Sequence, residues 1–320
     1  MSQKTILPFL LCFCLSIQVF AQVNPQFCRV EGAAIAYTPP PPSSTTNDGP
    51  YTIKVYVHMC LPTSAIGSNA PEDHHGISAT ELNAIIATTE EDFEPHNIFF
   101  DWCVLYHYSD EDFITSEQYP YTNFIGSYSL NDGINAYILP DNYFDNEGGY
   151  SSSSAGGGSS FALANQSALP ATNLVIYGQV YECYPAFYPA YDGDHFATIP
   201  HVLSHEMGHC LGLFHTHETV TCAELPDGSN SSTCGDLITD TPADPNLRFS
   251  VNTSCQWVSH FFPPACTAGP PGYNYIPTPG YSPDLLNIMA YTNYYACKPV
   301  FTAGQGVRMR NTIANSPVLA

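Results

Sequence analysis

Apolar and polar residues alternate most cleanly just after residue 50. Ile53, Val55 and Val57 alternate with Lys54, Tyr56 and His58, which predicts a half-buried strand. Leu82, Ile85, Ile86 and Phe93 then recur at helical spacing, and Ser78 with Glu81 fits a capping box at the start of that run. Residues 98–105, 134–139 and 174–177 read as three further strands. Residues 148–160 are rich in Gly and Ser and read as a loop, either bordering a cleft or inert. A last helix is predicted from Thr198, its cap, to about Leu211, with Pro200 in the first turn where a missing N–H costs little. Beyond it Pro, Gly, Asn and Asp crowd the chain and periodicity fades, which predicts an irregular region held by disulfides or ions.

The first residues follow a different pattern. Lys4 gives a positive start, residues 6–20 are mostly apolar, and Val19 and Ala21 are small enough for a cleavage site. Residues 1–21 therefore read as a secretory signal peptide, with a buried N-terminal helix as the alternative. The apolar run is too short to span a bilayer, so no stable membrane insertion is expected. Residues 22–50 contain four consecutive prolines, Pro39 to Pro42, and then a Ser/Thr/Asn run. They read as a short prosegment or linker before a globular domain over 51–320. The expected location is outside the cytoplasm, extracellular or periplasmic.

Composition narrows the partners. The 320-residue chain carries a formal charge of −22, and 44% of it is apolar, enough to bury a core. Seven strong bases are too few for a nucleic-acid surface, so no nucleic acid is expected. Cys12 and Cys14 would leave with the leader. Cys28, Cys60, Cys103, Cys183, Cys210, Cys222, Cys234, Cys255, Cys266 and Cys297 remain, an even set that suggests disulfides in an exported chain. The pattern gives neither their pairing nor an oligomeric state.

The chemistry concentrates in His205-Glu206-Met207-Gly208-His209-Cys210-Leu211-Gly212-Leu213-Phe214-His215. On a helix, His205 and His209 lie one turn apart on one face and can reach one ion. Catalytic zinc uses three protein ligands and an open position, with nitrogen at roughly 2.0–2.1 Å. Gly212 can take positive φ, end the helix and turn the chain so that His215 becomes the third ligand. Glu206 is placed to be a general base rather than a ligand. Zinc would lower the pKa of its water from about 15.7 toward about 7, for attack on a peptide carbonyl.

The spacing H-E-x-x-H-x-x-G-x-x-H resembles the metzincin signature. Asn287-Ile288-Met289-Ala290-Tyr291 resembles the methionine turn of that clan. The resemblance implies Met289 as an apolar floor under the histidines and Tyr291 as a stabiliser of the oxyanion. Gly235-Asp236-Leu237-Ile238-Thr239-Asp240-Thr241-Pro242, Cys297 and Phe301-Thr302-Ala303-Gly304-Gln305 with Arg308-Met309 are similar to segments of the pappalysin family. The likeness covers about 198–313 in detail.

That resemblance implies an α+β fold. Its upper part would be of α/β type, with a twisted mixed sheet and helices above a cleft, and its lower subdomain irregular and disulfide-bearing. It also implies calcium on Asp236, Asp240 and Thr241, with a solvated acidic loop as the alternative. Where family members have an acid after the turn methionine, this chain has Ala290, and residues 292–296 hold none. A preference for cleavage before Arg or Lys is therefore not expected. Cys28 is either a latency thiolate over the zinc or part of a disulfide. The expected activity is that of a secreted zinc endopeptidase acting on a protein or peptide substrate. The alternatives are a non-catalytic binding protein that keeps the zinc fold, and a zinc hydrolase of a non-peptide bond.

Overall fold

The computed structural model describes residues 48–61, 63, 66, 79–108, 128–139, 158–161, 172–177, 200–219, 221–247, 251, 255–258, 280–290 and 300–319. The leader, residues 22–47 of the prosegment (Cys28 included), Ser78, Thr198, Tyr291 and Cys297 lie outside these residues.

The elements run β1 (Tyr51–Leu61), α1 (Ala79–Phe93), β2 (Ile98–Tyr108), β3 (Ile134–Leu139), β4 (Gly158–Phe161), β5 (Asn173–Tyr177), α2 (Pro200–Cys210) and α3 (Ala303–Asn315). One mixed sheet has the order β2-β1-β3-β5-β4. All neighbours are parallel except β4, which runs antiparallel to β5 at the edge. With its separate helices this is a mixed α+β architecture.

β1 shows why the alternation stops. Ile53, Val55 and Val57 are fully buried while Lys54 and Tyr56 are half-exposed, but His58, Met59, Cys60 and Leu61 are all buried. The strand lies between β2 and β3, and its far half is covered on both faces, as parallel strands usually are. The polar members of that half are satisfied by neighbours. His58 Nδ1 lies 2.9 Å from His107 Nε2, His58 Nε2 lies 3.1 Å from Asn135 Oδ1, and the His58 ring stacks on Tyr137 at 4.3 Å. Burial pushes both His58 and His107 down to about 4, so both rings are neutral near pH 7.

Core residues from β1, α1, β3, β5 and α2 form one cluster with Met289, Phe301, Met309 and Ile313 from the far end of the chain. α1 packs on α2 with a polar clamp between them. Asp92 Oδ2 accepts from Ser204 Oγ at 2.5 Å and pairs with His201 Nδ1 at 3.0 Å.

Four expectations need correction. The Gly/Ser stretch is not loop to its end, because 158–160 belong to β4. Ladder bonds join main-chain groups, so a strand can form where side chains supply no apolar signal. The second strand continues past Leu105 to Tyr108, still in register with β1. α3 had no periodic signal, and its N-terminus is set instead by a capping box between Thr302 and Gln305. The cysteines are not all in disulfides. Cys222–Cys234 is one, and Cys255 is in another whose partner lies outside the described residues. Cys210, however, is a buried thiol in α2, and Cys103 is an exposed thiol on β2.

Between α2 and α3 the expected irregularity holds for the described residues. Residues 211–247 and 280–290 contain turns and an isolated bridge but no helix or regular strand.

Candidate metal centre

α2 carries the first two histidines, and its end carries the third into place. Gly212 has φ +86°. Leu213 N donates to Gly208 O and Gly212 N to His209 O, both at 2.9 Å, which is a Schellman closure of the helix. The chain reverses there and returns His215 toward the helix. The ligand atoms of His205, His209 and His215 all lie within 4.8 Å of one another, and all three residues are buried.

Each ring is held by its Nδ1. His205 Nδ1 donates to Ile288 O at 2.6 Å, His209 Nδ1 to Leu213 O at 2.8 Å, and His215 Nδ1 to Glu218 Oε1 at 2.9 Å. A carbonyl or carboxylate oxygen only accepts, so the proton of each neutral ring sits on Nδ1 and the Nε2 lone pair is available. Burial lowers all three imidazoles, His205 to about 4 and the other two well below their ordinary value. For His209 and His215 the crowding of imidazoles adds to that effect, because a proton on one ring would repel a proton on the next. Neutral imidazole is the form that binds metal.

One contact bears on what the cluster could hold. His209 Nε2 and His215 Nε2 are 3.0 Å apart. With both protons on Nδ1 and neither ring an imidazolium, two lone pairs face each other at that distance. Such a contact is repulsive unless a cation sits between them. Two nitrogen ligands of a tetrahedral ion stand about 3.3 Å apart at ordinary zinc–nitrogen lengths. The three histidines can therefore hold a metal ion.

Glu206 follows His205 on α2 and is fully buried. Its charge, behind the larger effect of burial, raises the Cys210 thiol one turn on. Met289 is fully buried as well, and its sulfur lies where a Cβ on Gly208 would come within 2.7 Å. The bare glycine thus lets the 287–290 turn press against α2. That turn is pinned at three points. Asn287 and Gln305 exchange two amide hydrogen bonds at 3.0 Å, Met289 N donates to Asn287 Oδ1 at 2.9 Å, and Ile288 N donates to Val300 O at 3.0 Å. Tyr291 follows the turn but lies outside the described residues.

The acidic segment is used otherwise than as an evident ion cage. Ile238 N donates to Asp236 Oδ1 at 2.9 Å, and the single Thr241 hydroxyl proton is shared among the two Asp236 oxygens, at 2.9 and 3.0 Å, and Ile238 O, at 2.7 Å. Asp240 is exposed and turns to α3, accepting from Thr302 Oγ1 at 2.8 Å and Gly304 N at 2.7 Å. Among the described residues neither Asp236 nor Asp240 falls in a cluster of three or more His, Cys, Asp or Glu side chains close enough to share an ion. Burial pushes Asp236 up to about 7, and Arg308, which donates to Asp236 O and Leu237 O, partly opposes that.

Sequence reasoning placed the three histidines where the structure brings them together, with Gly212 at the helix end between the second and the third. It missed what holds the rings. The Ile288 and Leu213 carbonyls leave no trace in residue type. Glu218 did leave one, a carboxylate three residues after His215, as did the amide pair Asn287 and Gln305. His217 stacks on His215 at 5.1 Å, more closely engaged than a stray surface histidine. No protein-family model matches the chain, and no curated protein matches its sequence.

Proposed function

We propose that this chain is an exported zinc-dependent endopeptidase of metzincin type, of the pappalysin family, acting on protein or peptide substrates. The observation that carries the reading is the convergence of three Nε2 lone pairs from rings locked by their Nδ1 protons, with Glu206 beside the first. Three neutral nitrogen donors suit zinc, and a set of three leaves a position for chemistry. The Cys222–Cys234 disulfide supports an oxidising compartment outside the cytoplasm, in line with the leader-like residues 1–21.

Zinc bound there would supply Lewis acidity, polarising a substrate carbonyl and acidifying water. The chain's own part falls first to Glu206. As water adds to the carbonyl carbon, a Glu206 carboxylate oxygen takes its proton, then passes it to the leaving amine as the C–N bond breaks. Burial favours this, because a carboxylate removed from bulk water is a better proton acceptor. Tyr291 enters through the resemblance alone, as a hydrogen-bond donor to the developing oxyanion. Calcium is not part of the proposal, since Asp236 already accepts from Ile238 N and Asp240 from Gly304 N.

The test combines metal analysis of the purified protein with a casein assay, with and without chelator, alongside Glu206→Gln. We expect about one zinc per chain, loss of cleavage with chelator, and a fall of at least roughly 100-fold in the variant. Casein cleavage that survives Glu206→Gln ends the mechanism. Bound zinc without cleavage of any peptide library favours the binding-protein alternative.

A further inference from the structure

This inference rests on the zinc reading above and deepens it. The three ligand rings are not held alike. His205 and His209 give their Nδ1 protons to main-chain carbonyls, whereas His215 gives its proton to a side chain, the Glu218 carboxylate. We propose that Glu218 is a positioning residue for the metal. Its charge fixes His215 as the Nδ1–H tautomer and strengthens Nε2 as a donor to the ion.

The local geometry is self-contained. Glu218 N donates to His215 O at 3.0 Å, a one-turn closure that returns the Glu218 side chain to the ring three residues earlier. His217 covers the face of the same ring, nearly parallel to it at 17°. The sequence His215-Thr216-His217-Glu218 thus encodes the ligand, its cover and its hydrogen-bond acceptor together.

Charge matters most at this ligand. A hydrogen bond to an ionised acceptor is roughly twice as strong as one between neutral partners. It also draws the Nδ1 proton outward and leaves more electron density at Nε2. His215 is the ligand outside the helix, so it lacks the support that α2 gives His205 and His209. Its side chain is only 3% exposed, while that of Glu218 is 40% exposed. The carboxylate can therefore be changed without opening the core.

The experiment measures zinc affinity by competition with a chromophoric chelator for wild type, Glu218→Ala and Glu218→Gln. Melting of each metal-free protein is followed in parallel. Glu218→Ala should lose roughly 10- to 100-fold in affinity, the usual cost of removing such a partner. Glu218→Gln should fall between, because its amide oxygen still accepts but carries no charge. The metal-free melting temperatures should agree, and the visible spectrum of the cobalt-loaded protein should shift in both variants. Equal affinity in wild type and Glu218→Ala overturns this inference alone. A matching fall in metal-free stability also overturns it, by making the role merely structural. Failure of wild type to bind zinc overturns the proposed function instead.

Discussion

Gly208→Ala tests how the 287–290 turn is fitted to α2. The new Cβ would meet Met289 Sδ at 2.7 Å, with Leu213 Cδ1 and Phe301 Cε1 each at 3.4 Å. Met289 is fully buried, so its sulfur has no solvent to move into. Overpacking of this kind costs about 1–3 kcal/mol, against about 1 kcal/mol gained from the better helix propensity of alanine. The net expectation is a loss of about 0–2 kcal/mol, with weaker zinc binding because the Ile288 carbonyl that orients His205 moves with the turn. Met289→Ala should cost about 2–5 kcal/mol through the cavity it leaves. The double variant is the decisive one, because the cavity then accommodates the added methyl. Its loss should be smaller than the sum of the two by about 1–3 kcal/mol. Urea unfolding of the four proteins in chelator, so that bound metal adds nothing, gives the cycle. Additivity within about 0.5 kcal/mol would refute the claim that these two residues are in contact.

Four further outcomes follow from the same structure. Asp236 is held near 7 in the fold against about 3.9 unfolded, so the native state keeps the extra proton between about pH 4 and 7. Its contribution is therefore full below about pH 4 and is lost as pH rises through 7, by at most about 4 kcal/mol. Asp236→Asn should flatten that slope in urea titrations, and an unchanged slope would count against it. Millimolar calcium should leave the melting temperature where it is; a rise abolished by Asp236→Asn would return calcium to that loop. Gly306→Ala places a Cβ 2.2 Å from His96 Nδ1 and should lower stability by about 1–3 kcal/mol, and wild-type melting would contradict the close packing of α3 there. Replacing Cys222 and Cys234 by serine opens a short loop and should cost about 2–4 kcal/mol in denaturant, an effect that would be absent if the bond did not form.

The legible parts were those governed by side-chain type. Period-two alternation found β1, although it misjudged the strand's far half, where coverage on both faces erases the alternation. The spacing of three histidines and Gly212 foretold the convergence, because helix pitch and a left-handed glycine leave few other arrangements. β4 was hidden because main-chain bonds make it. α3 was hidden because its buried face includes Gln305, Gly306, Asn311 and Thr312 as well as Met309 and Ile313, so apolar counting sees little. Two of the three ring anchors were beyond reach for the same reason as β4. They are carbonyls, and any residue has one.

The distance in sequence between His205 and the carbonyl that orients it is 83 residues. All three imidazoles are therefore made well before the turn at 287–290, and that turn is itself braced by Gln305 of α3. A growing chain would carry the histidines for some time in an unset state. Capacity to hold an ion firmly would arise only when the final stretch docks, and under the proposed function cleavage would wait on the same step. A chain interrupted ahead of Ile288 would keep every signature residue of the motif and still be a poor chelator.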